Sequence, residues 1–284
     1  MKNFFITGDC HGRVAERLEI IKNSMGDNFQ ENRYGVIILG DVGFNYWGGN
    51  SDKNKKAKCN NYGFFIYCLR GNHEKRPSDI EGMLVCYDAF VHGYVYMEED
   101  FPNIRYFIDG GEYLIDGYTV LTIGGAYSVD KWYRLIQASG RKDGFSGWFE
   151  NEQLNENERD HILRHSSGKY YDFIFTHTCP ISNMPTDLFL SCVDQSTVDN
   201  SMEEWLDEVK KNVNWFIWCF GHHHADRIEA AYIEQFYMSF ELLEDVFLRW
   251  SYYKQNNKLP KEDIYKEVSP FFLQEVKRND NESI

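Results

Sequence analysis

Cys219-Phe220-Gly221-His222-His223-His224 follows directly on an apolar run, Trp215 to Phe220, that reads as a β-strand. Side chains at i and i+2 of an extended chain point the same way, so His222 and His224 are expected to aim at one spot while His223 faces elsewhere. Neutral imidazoles that converge on a point are a common beginning of a metal site. A solvated His-rich turn would look the same in isolation, so the remainder of the chain decides between them.

Working outward from that stretch, the same grammar recurs. Asn3 to Thr7 reads as a buried strand that ends in Gly8-Asp9-Cys10-His11-Gly12. Val14, Leu18, Ile21 and Met25 then repeat at helical spacing. Tyr34 to Leu39 is a second strand, ending in Gly40-Asp41, and Phe64 to Leu69 a third, ending in Arg70-Gly71-Asn72-His73-Glu74. The Lys-rich stretch between them, Asn50 to Asn61, reads as an exposed helix or loop. Strand, polar loop, helix, strand is the pattern of βαβ units, and open α/β sheets place their sites outside the carboxyl ends of the strands.

Further along, Ile104 to Ile108, Glu112 to Ile115 and Thr119 to Ile123 are short β runs. Gly110-Gly111 and Asp116-Gly117 punctuate them, which predicts hairpins and a second sheet. Glu152 to His165 is predicted helical with Asn151 as its N-cap, and Tyr171 to Phe175 is a strand ending at His177. Met202 to Val213 is an amphipathic helix, and Arg227 to Ile233 with Gln235 to Leu242 reads as a hairpin. Asn256 to Leu259 is linker-like, and Lys261 to Lys277 is expected to form a terminal helix.

Asp9-x-His11, Gly40-Asp41, Gly71-Asn72-His73-Glu74, His177 and Gly221-His222-x-His224 therefore stand at strand ends, in that order. In order and residue type they resemble the calcineurin-like metallophosphoesterase superfamily, over roughly residues 5–225. Any one motif is weak, because Gly-Asp recurs by chance; the ordered set is specific. The resemblance implies an α/β fold, a four-layer αββα sandwich with mixed sheets, over 1–255, with 256–284 a helical extension or tail. It also implies two divalent ions. Asp9, His11, Asp41 and His224 would hold the first, with Asp41 bridging, and Asn72, His177 and His222 would complete the second. Mixed carboxylate and imidazole donors suit Mn, Fe, Zn or Ni, with Mn the expected choice in vitro. The implied activity is hydrolysis of phosphomonoesters or phosphodiesters by metal-activated water. His73, beside the ions, would serve the leaving-group oxygen. Glu74 would orient that loop or cap a helix following it.

Serine/threonine phosphatases of the superfamily carry Gly-Asp-x-x-Asp-Arg-Gly, whose Arg grips phosphate. Here Gly40-Asp41-Val42-Gly43-Phe44-Asn45-Tyr46 lacks it, and Arg70 is only a partial echo. The layout looks more like generic bacterial and phage members. Arg134 is the candidate substrate-phosphate contact, in a loop region with Tyr46, Trp47, Tyr127 and Trp132. His92, His161 and His165 match no motif and are assigned to the surface.

Composition narrows the classes. The content is 43% hydrophobic, ample for a core, yet no run reaches the roughly 18 apolar residues of a membrane span. Seven cysteines form no C-x-x-C pair, and free thiols in a cytoplasmic protein are expected. A net charge of −14 disfavours sequence-blind nucleic-acid binding, so a small phosphorylated substrate or a nucleotide is the expected partner. A nuclease acting on DNA or RNA ends and a non-catalytic scaffold of the same fold are the alternatives. Retention of Asn72 and His73 argues against the scaffold.

Overall fold

A computed structural model describes residues 3–189 and 194–259. Its first unit is β1 (Phe4–Thr7), α1 (Val14–Met25), β2 (Tyr34–Ile38), α2 (Asn50–Asn60) and β3 (Phe64–Cys68). The three strands are parallel neighbours, as the βαβ pattern requires. Next come β4 (Met83–Asp88), β5 (Gly93–Glu98), β6 (Ile104–Phe107), β7 (Gly111–Ile115) and β8 (Tyr118–Ile123). The chain continues through α3 (Lys131–Ser139), α4 (Glu156–Ser166), β9 (Tyr170–Thr176), α5 (Ser201–Asn212) and β10 (Asn214–Phe220). It closes with β11 (Arg227–Ala230), β12 (Ile233–Gln235), β13 (Phe240–Leu242) and α6 (Leu243–Asn256).

The strands form two mixed sheets, β13-β1-β2-β3-β6-β5-β4 and β11-β12-β10-β9-β8-β7. Alternation along each strand sorts the side chains between faces. Phe4 and Ile6 join Ile37, Tyr67, Phe173, Phe175 and Ile217 in the core between the sheets. Phe5, one residue out of phase, instead packs with Val36, Ile38, Ile66 and the α1 residues Val14, Leu18 and Ile21. On the far face of the second sheet, Leu121, Ile174 and Trp218 meet Ile162 of α4 and Met202, Leu206 and Val209 of α5. The layers are therefore helix, sheet, sheet, helix, the architecture the motifs imply. Among the described residues no helix is long and apolar enough to cross a membrane.

Several local expectations change. Of the two readings of the Lys-rich stretch, exposed helix or loop, the helix forms, over Asn50–Asn60, but it is not wholly exposed, because it buries Asp52, Lys56 and Cys59. Lys56 is held there by Asn45 and Glu98, so a charge within a Lys-rich run can still face inward. α4 begins at Glu156 and is capped by Asn155, not Asn151; the Asn155 side chain accepts from Glu158 N while Glu158 reaches back to Asn155 N. Asp116-Gly117 does turn a hairpin, β7-β8, but Gly110-Gly111 carries the chain from β6 in one sheet to β7 in the other. The hairpin expected over 227–242 forms only as β11-β12; β13 leaves to pair antiparallel with β1. The chain after Glu74 makes a short 3-10 turn, Pro77–Asp79, in place of an α-helix. α3 and α6 occupy segments where the sequence pattern predicts no helix. The terminal helix expected over 261–277 lies outside the described residues.

Candidate metal centre

The five clusters stand just past the carboxyl ends of β1, β2, β3, β9 and β10, and backbone bonds tie their loops together. His11 N donates to Asp41 O at 2.7 Å and Gly12 N to Val42 O at 2.8 Å, locking the first loop to the second. Gly221 N donates to His177 O at 2.9 Å, locking the loop after β10 to that after β9. His11, Asp41, His222 and His224 all hold positive φ, between 44° and 67°, and such outliers gather where a site over-determines the backbone. His222 and His224 thus leave a left-handed turn, not an extended i, i+2 pair, and instead of aiming at one spot each meets a different partner. His222 packs against His177, with ring centroids 4.9 Å apart, and His224 against His11 at the same separation.

Two adjacent groupings result. Asp9, His11 and His224 can each offer one ligand atom within a common 4.8 Å, and so can Asp9, Asp41 and His177. The Nε2 atoms of His11 and His224 are 2.8 Å apart, and His224 Nε2 is 3.4 Å from Asp9 Oδ2. Asp41 lies between the halves: its Oδ2 is 3.9 Å from His11 Nδ1 and 3.8 Å from His73 Nε2, and its Oδ1 is 3.6 Å from His177 Nε2. Asn72 Oδ1 is 2.9 Å from the same His177 nitrogen. All seven expected ligands and His73 are therefore gathered at one edge of the sandwich.

Glycines make the crowding possible. A Cβ on Gly40, whose φ is +102°, would stand 2.0 Å from His177 Nδ1, and one on Gly71 would stand 2.0 Å from Asp41 Oδ1.

The donor chemistry fits divalent cations. Asp9 Oδ2 is buried and accepts no hydrogen bond, an arrangement that costs free energy unless a positive charge completes it. His177 Nδ1 faces the Leu39 carbonyl at 2.8 Å and must donate to it, which leaves Nε2 as a lone pair turned toward Asp41 and Asn72. Burial alone would raise the pKa of Asp41, but His177, His73 and His11 outweigh it and hold the carboxyl below its ordinary value. Burial lowers the pKa of His222 strongly, aided by the neighbouring imidazoles, and also lowers that of His73, so both are neutral near pH 7. The close Asp9 carboxylate instead raises that of His224.

Glu74 is buried rather than capping anything. It accepts from Gly71 N and Val42 N at 3.3 and 3.4 Å, bracing the second loop against the third, and burial pushes its pKa up to about 8. Arg70 is committed to Asp109, Glu152 O and Gly124 O, so it does not substitute for the missing phosphate-gripping arginine. Cys10 and Cys179 are buried thiols, and all six described cysteines are free; Cys192 lies outside the described residues. His92, His161 and His165 are exposed.

A cavity of about 800 Å³ opens over the centre, lined by His11, His73, His222 and His224 and walled by Trp47, Tyr127, Leu188 and Phe189. Arg134 reaches it, though Nε is bound to Asp130 and Nη1 to Tyr46 and Gly147 O. Lys55 lines it too, with Nζ 3.2 Å from Gly43 O and 3.7 Å from Asp52 Oδ1. Lys55 carries no signal in the sequence, because Lys53, Lys56 and Lys58 stand beside it and nothing marks which of them faces the site. Glu203 of α5 also borders the cavity; it accepts from Thr178 Oγ1 at 2.8 Å, and burial pushes it up to about 7.

No curated protein matches the chain. Among solved structures, the crystal structure of TT1561 of Thermus thermophilus aligns at 10% identity and a TM-score of 0.46, covering 86% of this chain and 96% of that one. The family model for calcineurin-like phosphoesterases matches residues 2–226, a span that holds every one of the strand-end clusters. On that match, the chain belongs to the calcineurin-like phosphoesterase family.

Proposed function

We propose that the protein hydrolyses a small organic phosphoester at a centre holding two divalent ions. Asp9, His11, Asp41 and His224 would hold one, and Asp41 with Asn72, His177 and His222 would hold the other. The observation that carries this reading is the buried pair of carboxylates, Asp9 and Asp41, each met by imidazoles from a different loop. Bound divalent ions would supply Lewis acidity toward the phosphoryl group and a water of lowered pKa.

The chain's own residues do the rest. His73, neutral and lining the cavity beside Asp41, offers its ring N–H to the leaving-group oxygen. Lys55 supplies a cation at the cavity wall with donors left for a phosphate oxygen, and Arg134, which lines the same cavity, has its second terminal nitrogen outside the bonds to Asp130, Tyr46 and Gly147. A volume near 800 Å³ exceeds what a phosphate needs, and Trp47, Tyr127 and Phe189 present apolar surface to the ester's organic group.

Turnover of p-nitrophenyl phosphate and bis-p-nitrophenyl phosphate tests the reading. The protein is stripped with chelator and then assayed with and without added Mn²⁺. Metal-dependent release of nitrophenol from either ester is expected. Absence of release from both, by folded protein under a range of divalent ions, would refute it.

A further inference from the structure

We propose that Ser128 and Glu152 are positioning residues that decide which atom of Asn72 faces His177 and Asp41, and so build the second cation position; the inference rests on the two-cation reading above. An amide side chain fits its pocket almost equally well either way round, because its oxygen and nitrogen are nearly the same size. Only the oxygen can ligate a cation. Something must therefore select the orientation of Asn72, and none of the five motif clusters contains that selector.

Ser128 follows β8 and Glu152 precedes α4; both are buried, as is Asn72. One oxygen of Glu152 accepts from Ser128 N at 2.9 Å, and the other accepts from Ser128 Oγ at 2.5 Å. With its hydrogen committed to the carboxylate, the hydroxyl has only lone pairs left for a third partner. Asn72 Nδ2 donates to it at 2.9 Å. The amide oxygen is thereby turned to the other side, 2.9 Å from His177 Nε2. That nitrogen is itself a lone pair, since Nδ1 donates to Leu39 O. Two acceptors facing each other repel, and a shared cation satisfies both. The relay is anchored from behind, because Arg70 Nη1 donates to Glu152 O at 2.6 Å and Nη2 to Gly124 O at 3.0 Å. A strand-end arginine that touches no substrate thus fixes the loop on which the selector stands.

The polarity of this chain of hydrogen bonds can be reversed without changing its shape. In Glu152→Gln, only one acceptor replaces two. Keeping the bond from Ser128 N places the new amide N–H₂ against Ser128 Oγ, and the hydroxyl must then donate onward. Asn72 answers by turning its oxygen toward Ser128 and its nitrogen toward the cation position. The test is titration of metal-free protein with Mn²⁺ by calorimetry, alongside metal content after desalting and thermal unfolding without metal. Wild type is expected to take up two ions. Glu152→Gln should keep one at wild-type affinity and bind the other about 10–100-fold more weakly, the usual loss on removing an outer-shell partner. Adding Asn72→Asp to Glu152→Gln should restore the second ion, since a carboxylate presents oxygen either way round. Asn72→Asp alone should not match that, because its second oxygen would oppose the lone pairs of Ser128. Two ions at unchanged affinity in Glu152→Gln would overturn the proposal and leave the two-cation reading standing. Equal weakening of both ions with a lowered unfolding temperature would reduce the pair to a structural role and overturn it as well. If wild type itself takes up fewer than two ions, the underlying reading fails first and this inference falls with it.

Discussion

Asp41 shows how much one residue is asked to do. Its backbone is left-handed, its carboxylate is buried, and one oxygen accepts from His73 N at 2.9 Å while standing 3.6 Å from His177 Nε2. The Gly-Asp and Gly-Asn-His motifs make Asp41, Asn72 and His73 legible because each pairs a chemical side chain with a glycine that clears space for it. Ser128, Glu152, Lys55 and Glu203 are not legible. They lie singly in loops and helices, and only the folded chain reveals what they touch. His73 lines the cavity but is no expected ligand, so its removal separates chemistry from metal binding. His73→Ala should lower kcat by about 10²–10³-fold, the usual loss on removing one preorganised hydrogen-bond donor, while metal content stays at the wild-type value. Full turnover in that variant would remove His73 from the chemistry.

Strands are easier to find than helix boundaries. β1, β2, β3, β9 and β10 each announce themselves by a short apolar run followed by a polar cluster, and their ends set the site. The start of α4 is easily misplaced because Asn151 and Asn155 both precede acidic residues. What separates them is the residue three places on: Leu154 cannot reach back to Asn151, whereas Glu158 does reach Asn155. α6 escapes notice for the opposite reason, since Leu242 stands at its N-cap and no turn residue separates it from β13. α3 buries none of its residues, so its aromatic side chains report nothing about a core. Asn155→Ala should remove the capping box and cost about 1 kcal/mol of stability, read as a lowered denaturant midpoint at unchanged slope. An unaltered midpoint would show that the cap contributes nothing to α4.

Across the whole molecule, the feature least visible in the sequence is how the chain divides between sheets. β6 and β13 join one sheet while their sequence neighbours β7 and β12 join the other. Arg249 on α6 spans that division, pairing with Glu234 of β12 at 2.6 Å and with Glu241 of β13 at 2.7 Å. Two buried carboxylates thus share one guanidinium, and the buried Asp245 adds to the negative charge acting on Glu241. Burial pushes Glu241 from 4.5 up to about 7, although Arg249 pulls in the other direction. A carboxyl whose folded pKa is raised holds its proton more tightly in the fold than in the open chain. Its stabilising contribution is full below about 4.5 and is lost as the pH climbs through about 7, at no more than about 1.4 kcal/mol per pH unit. Glu241→Gln should therefore gain stability relative to wild type as the pH is raised from 5 to 8, measured by urea unfolding of metal-free protein. A difference independent of pH would contradict the raised pKa of Glu241.

If side chains from five strand ends form one centre for two cations, anomalous diffraction from a Mn²⁺-loaded crystal, recorded at the manganese edge, will show it without recourse to any substrate. Two neighbouring peaks are expected, one against Asp9, His11 and His224 and one against Asn72, His177 and His222, with Asp41 touching both. A well-ordered centre with no peak, or with manganese bound only elsewhere on the molecule, would contradict it.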